Sequence, residues 1–197
     1  MYKEGGKIFD GFRARRFNSR AANKNSQPDK VLSELALKEG EKVEEIGSGG
    51  GYFALRFAAS VGPSGRVFCL DVNPNFLKFV DKSAKRAGLA NVQTVLSAQM
   101  YDTVPKGSID LVFLRGVYHH LEDRAEYFRK VSFLLSPKGR VAIIDYRPEA
   151  HNAFGHPPGH GTAPQTMIAE MQSAGYEVLA KHEFLETLAF IIFKMQK

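Results

Sequence analysis

One cysteine, Cys69, stands in 197 residues, so no disulfide can close within the chain and no cysteine-rich metal site can be built. It sits inside an apolar strand pattern, where a thiol behaves as a small buried hydrophobe. No apolar run reaches the roughly 20 residues that cross a bilayer, and the first residues are too polar for a signal peptide. A cytoplasmic protein without a membrane partner is therefore expected. Internal repeats and low-complexity linkers are missing too. Positive charge, by contrast, is in excess at +6, and it is concentrated early: residues 1–30 carry eight lysines and arginines against three acids. Phe9, Phe12 and Phe17 interleave with those arginines. Residues 1–25 are read as a basic N-terminal arm or cap held by its aromatics. A phosphate-tracking surface would spread its charge over the whole domain, so nucleic acid is not the favoured partner.

The length suits one α/β domain with a full core, assigned to residues 26–197. Ser26-Gln27-Pro28-Asp29 reads as a helix start with a capping serine. Apolar strands at 42–46, 66–71, 91–96, 109–115 and 139–145 alternate with amphipathic helices at 51–60, from Pro74 to Gly88, and at 122–135. That alternation implies a parallel sheet covered on both faces. The stretch 146–163, rich in proline and glycine, reads as a long loop. A helix at 164–174 follows it. Two closing strands near 176–183 and 186–195 are joined by so short a turn that they must be antiparallel.

The most informative segment is Val43-Glu44-Glu45-Ile46-Gly47-Ser48-Gly49-Gly50-Gly51-Tyr52-Phe53. A strand enters a loop with glycine at every second position and a helix begins directly after, as where a backbone turns tightly against a ligand. Asp71 ends the next strand, Arg66-Val67-Phe68-Cys69-Leu70, twenty residues on. Its carboxylate can accept hydrogen bonds from a ribose diol. In the register starting at Gly47 a dinucleotide fingerprint would need its third glycine at Tyr52, and an acid at Glu45 beside a pyrophosphate is unfavourable. The same acid suits a cofactor carrying an ammonium and a sulfonium.

From Glu45 to Gly51 the run resembles motif I of class I S-adenosylmethionine-dependent methyltransferases. The resemblance extends through Asp71, Ile109–Leu114 and Leu135-Ser136-Pro137-Lys138-Gly139, and covers roughly residues 30–195. Within that superfamily the Tyr118-His119-His120-Leu121 run is similar to a group of small methyltransferases. The resemblance implies a Rossmann-like three-layer sandwich, with a seven-stranded, mostly parallel sheet of order 3-2-1-4-5-7-6 and strand seven antiparallel. It also implies S-adenosylmethionine as cofactor, and a small molecule as methyl acceptor. An RNA or protein methyltransferase using the basic arm, or a non-catalytic cofactor-binding module, are the alternatives. Arsenic methylation needs several thiols, and base amino-methylation should show Asn-Pro-Pro-Tyr where Arg115-Gly116-Val117-Tyr118 stands; neither fits. A nicotinamide oxidoreductase fits neither the glycine spacing nor the absent Tyr-x-x-x-Lys pair.

Ligands of open α/β sheets lie beyond the carboxyl ends of the strands at the switch point. The first strand then offers Glu45, Gly47, Ser48, Gly49 and Gly51 to the cofactor. The second offers Asp71, Val72 and Asn73, the third Gln99 and Met100, and the fourth Arg115, Gly116 and Val117. The resemblance implies that Gln99, whose side-chain carbonyl can accept, reads the adenine amino group. Transfer from a sulfonium has a neutral leaving group, so positioning dominates, and a base is needed only where the acceptor must lose a proton. His119, His120 and Tyr146 are the candidate catalytic residues, with Tyr118 beside Tyr146 as lining of the acceptor pocket. Five of the six histidines (His119, His120, His151, His156 and His160) follow the fourth and fifth strands near Asp145. Their spacing matches no metal motif, and no metal is expected.

Overall fold

The computed structural model describes residues 7–150 and 159–196, with side chains from Asp10 onward. The chain divides into two compact units, Met1–Val104 and Pro105–Lys197. In the first, strands β1 (Lys42–Ile46), β2 (Arg66–Asp71) and β3 (Val92–Leu96) run parallel, with Glu45 beside Cys69 and Asp71 beside Leu96. Their inner residues, Val43, Val67, Cys69 and Leu70, are fully buried, as expected of parallel strands covered on both faces. Helices α1 (Lys7–Ala22), α2 (Pro28–Leu35), α3 (Tyr52–Val61), α4 (Pro74–Arg86) and the single turn α5 (Met100–Thr103) complete this unit.

The basic arm is thus largely a helix. It packs against α3 and α4 through small and polar residues. Ala14 and Ala21 are buried, Phe17 meets the Phe76 ring edge-on at 5.6 Å, and buried Asp10 accepts from Asn75 Nδ2 at 2.9 Å. The aromatics divide: Phe17 is held, Phe12 is 65% exposed, and the Phe9 side chain lies outside the described residues. Ser26 is no helix cap. It ends a 3-10 turn, Lys24–Ser26, and its hydroxyl donates back to the Arg20 carbonyl at 2.8 Å, while α2 begins at Pro28 behind Gln27.

The second unit holds strands β4 (Ile109–Arg115), β5 (Leu135–Tyr146), β6 (Tyr176–His182) and β7 (Leu188–Met195), with helices α6 (Arg124–Val131) and α7 (Pro164–Ser173). β4 and β5 are parallel, and β7 runs antiparallel to both β5 and β6. Strand order in the seven-stranded sheet is β3-β2-β1-β4-β5-β7-β6, the expected Rossmann-like arrangement. β5 begins four residues earlier than the apolar pattern suggests. Leu135 pairs with Ile109 across an irregularity, and a Cβ on Gly139 would lie 2.6 Å from the Ile109 carbonyl oxygen. The Ser136–Lys138 segment is therefore a bulge within the strand. Among the described residues no helix is long and apolar enough to cross a membrane.

Candidate active site

At the carboxyl ends of β1 and β2 the backbone is organised around Asp71. Its Oδ2 accepts from the Gly49 amide and its Oδ1 from the Asn73 amide, both at 2.9 Å. The Gly47 and Ser48 amides donate to the Leu70 carbonyl at 2.8 Å each. One buried acid therefore ties the glycine loop to its own turn, and a carboxylate, with about four lone-pair sites, still has room to accept from a ribose hydroxyl. Burial raises its carboxyl above the ordinary value, opposed by the amides of Asn73, Gly49 and Val72 and by Arg13. Gly47, Gly49 and Gly51 all have positive φ, at 73°, 51° and 77°, which glycine alone adopts cheaply.

Ligand approach is not the whole reason for these glycines. A Cβ on Gly51 would come within 2.9 Å of Val80, and one on Gly50 would overlap Asn18 and the Ala14 carbonyl of α1. Asn18 Nδ2 donates to the Gly50 carbonyl at 2.9 Å. The N-terminal helix rests directly on the loop, a role that no signal but the four-residue spacing of Ala14 and Asn18 could have suggested.

At the carboxyl ends of β4 and β5 the arrangement is built on histidine. Gly116 turns the chain with φ 65° into the 3-10 turn Tyr118–His120. His119 Nδ1 lies 2.7 Å from Asp145 Oδ1, and Asp145 is fully buried at the end of β5. A carboxylate only accepts, so the tautomer that completes this hydrogen bond carries its proton on Nδ1 and its lone pair on Nε2. Gly161, with φ 120°, lets the chain fold back onto the Tyr146 carbonyl, where any Cβ would collide. The Thr162 amide bonds that same carbonyl at 3.0 Å. This return brings the His160 ring to 4.3 Å from His119 and 5.5 Å from Tyr146, while His120 stands 3.9 Å from His119. Burial and the neighbouring His119 and His160 rings hold His120 below the ordinary imidazole value, and burial and His119 do the same to His160. His151 and His156 lie outside the described residues.

A family model described as a methyltransferase domain matches residues 37–190. The chain belongs to that family. The resemblance to class I S-adenosylmethionine-dependent methyltransferases is thereby borne out. Among curated relatives, the ubiquinone/menaquinone biosynthesis C-methyltransferase UbiE of Pasteurella multocida is 26% identical over 56% of this chain and 41% of its own length. A demethylmenaquinone methyltransferase of Listeria welshimeri is 28% identical over 56% of this chain and 47% of its own. The matches thus span less than half the length of these relatives. A solved S-adenosylmethionine-dependent methyltransferase from Aquifex aeolicus superposes with a TM-score of 0.79 at 25% identity, over 86% of this chain and 89% of that one.

Several residues have other work than the sequence suggests. Tyr118 does not line a pocket: it is buried, stacks on Phe128 at 5.7 Å, and donates to Glu170 Oε2 at 2.8 Å, with Arg124 on the same carboxylate. Ser48 turns its hydroxyl to the Glu45 and Leu70 carbonyls, and the Asn73 side chain caps α4 by accepting from the Asn75 amide. Glu45 and Met100 are buried, Gln99 is exposed in a turn before α5, and Val72 is 62% exposed directly after Asp71. Arg115, Gly116 and Val117 are half-buried at the end of β4.

Asp71→Ala removes one hydrogen bond to the glycine loop and one to the turn before α4, as well as the ribose acceptor. Affinity for S-adenosylhomocysteine is expected to fall about tenfold to a hundredfold, since charge-assisted bonds contribute ~1.5–3 kcal/mol. Calorimetry on both proteins checks it, and equal affinities would show that another group holds the ribose.

Proposed function

We propose that the chain transfers the methyl group of S-adenosylmethionine to a small hydroxylated aromatic acceptor. The observation that carries the reading is the Asp71 carboxylate tied to the Gly49 and Asn73 amides in a chain of methyltransferase family. The cofactor's ribose lies on Asp71 and its charged amino-acid end near Glu45, with Gly47, Gly49 and the exposed Val72 against its remaining surface. The acceptor lies at the ends of β4 and β5, against His119, His120 and Tyr146.

Chemistry narrows the acceptor class. In the transfer the sulfur–methyl bond breaks with its electron pair left on sulfur, giving S-adenosylhomocysteine, while a new bond forms from acceptor to methyl. A phenol becomes nucleophilic at oxygen, and at its ring carbons, once its hydroxyl proton is removed. His119 is placed to take that proton on Nε2, because Asp145 holds the ring by Nδ1 and stabilises the imidazolium that forms. The relatives named for menaquinone and ubiquinone synthesis put quinol-like rings first in any panel. Among the described residues of α1 the exposed basic side chains are Arg15 and Arg16, which do not amount to a phosphate track.

Two measurements test this reading. S-adenosylhomocysteine should bind at micromolar affinity and NAD should not, so tighter NAD binding would sink the cofactor assignment. Production of S-adenosylhomocysteine should then appear with hydroxylated aromatics, and an entirely silent panel would leave a cofactor-binding module as the better description.

A further inference from the structure

We propose that His119, His120 and His160 form a binding site for one divalent cation of the zinc class, with Asp145 as the group that orients the central ligand. Each of the three imidazoles offers one nitrogen, and these nitrogens all lie within 4.8 Å of one another. The His119 side chain is 8% exposed, and its Nε2 is buried with no hydrogen-bond partner. A lone pair buried in that way costs free energy unless something accepts it. Its other nitrogen is held at 2.7 Å by a carboxylate that is itself fully buried. A carboxylate behind a histidine, with the far nitrogen left to coordinate, is the arrangement that fixes metal-ligating imidazoles elsewhere.

The donor set selects the ion. Three neutral nitrogens suit zinc, cobalt or nickel, whereas calcium and magnesium require oxygen. Zinc–nitrogen bonds of about 2.0–2.1 Å draw the ligand atoms somewhat closer than they stand. His120 is exposed and His160 half-buried, so modest ring rotations bring this about. Three histidines leave a tetrahedral ion one open position.

Its use in catalysis rests on the methyl-transfer reading: an acceptor hydroxyl at the open position would lose its proton to solvent because the cation stabilises the oxyanion. With the ion bound, His119 serves as ligand and no longer as base. Binding itself needs no such assumption.

Protein without a histidine tag, stripped with chelator and dialysed, is titrated with zinc chloride in a calorimeter and with cobalt chloride in a spectrophotometer. One ion per chain at micromolar affinity or tighter is expected, with a visible cobalt band. His120→Ala and His160→Ala should each weaken zinc binding at least tenfold, and Asp145→Asn about tenfold to a hundredfold. His120 is exposed, so its variant carries little risk of misfolding, and thermal unfolding checks all three. No binding to the wild-type protein, or binding unchanged in both histidine variants, overturns the proposal. S-adenosylhomocysteine titrated into the same samples reads the cofactor assignment separately, so either assignment can fail alone.

Discussion

Glu44→Gln is expected to stabilise the protein by ~3 kcal/mol at about pH 7, and to change its stability little at about pH 4. Glu44 is fully buried in the middle of β1, opposite Phe68, and neither of its carboxyl oxygens has a hydrogen-bond partner. Burial raises its pKa from 4.5 to about 8, because the charged form has lost its water and gained no counter-ion. Below about pH 4.5 the proton is bound in the folded and unfolded chains alike. Between there and about pH 8 the unfolded chain releases it and the folded chain keeps it, so stability falls by ~1.4 kcal/mol per pH unit. Glutamine is as polar as the protonated acid and never ionises, so it removes only this slope. Urea unfolding of both proteins across that range isolates the effect. A stability difference that stays constant with pH would show that Glu44 is ionised in the fold.

Strands 66–71 and 109–115 were legible because burial on both faces demands largely apolar runs, and 42–46, with three charged residues of five, because a glycine loop follows it; all three are observed at the expected bounds. β5 was cut short because Ser136-Pro137-Lys138 has the composition of a turn, while pairing with β4 carries the strand through it. Helix α1 was read as an arm for a different reason. Its inward face is Asp10, Ala14, Phe17, Asn18 and Ala21, which shows little hydrophobic periodicity although Asp10, Ala14 and Ala21 are buried. In the site, Asp71 could be found because a lone acid ends an otherwise apolar strand. Asp145 ends Val141–Ile144 in the same way, and the same signal was available there. What no local pattern could show is that Asp145 meets His119, twenty-six positions away. That contact depends on β4–β5 register, with Arg115 beside Ile144. The return of His160 depends on Gly161, whose backbone only the tertiary fold explains.

Gly50→Ala is expected to cost ~3 kcal/mol of stability, the upper range for overpacking a filled site. The added methyl would overlap Asn18 Oδ1, which a rotamer change could clear, and the Ala14 carbonyl oxygen, which it could not. The loop cannot easily yield, since Asp71 and Leu70 hold its neighbours Gly49, Gly47 and Ser48. The helix must lift instead, breaking the Asn18 bond to Gly50 and parting Phe17 from Phe76. Asn18→Ala should therefore fail to rescue the double variant. Gly11→Ala is the control, because a Cβ there meets nothing within 4 Å, and it should stabilise α1 by ~0.5–1 kcal/mol. Urea unfolding gives the energies, and hydrogen exchange of residues 7–22 shows where they arise. In the wild-type protein those amides should be protected before any cofactor is added, as befits a docked helix and not a lid that closes on ligand. In Gly50→Ala they should exchange quickly. Wild-type exchange that slows only with S-adenosylhomocysteine would mean that the helix docks when the cofactor binds, and Gly50→Ala with unchanged stability and a protected helix would mean that α1 does not rest on the loop.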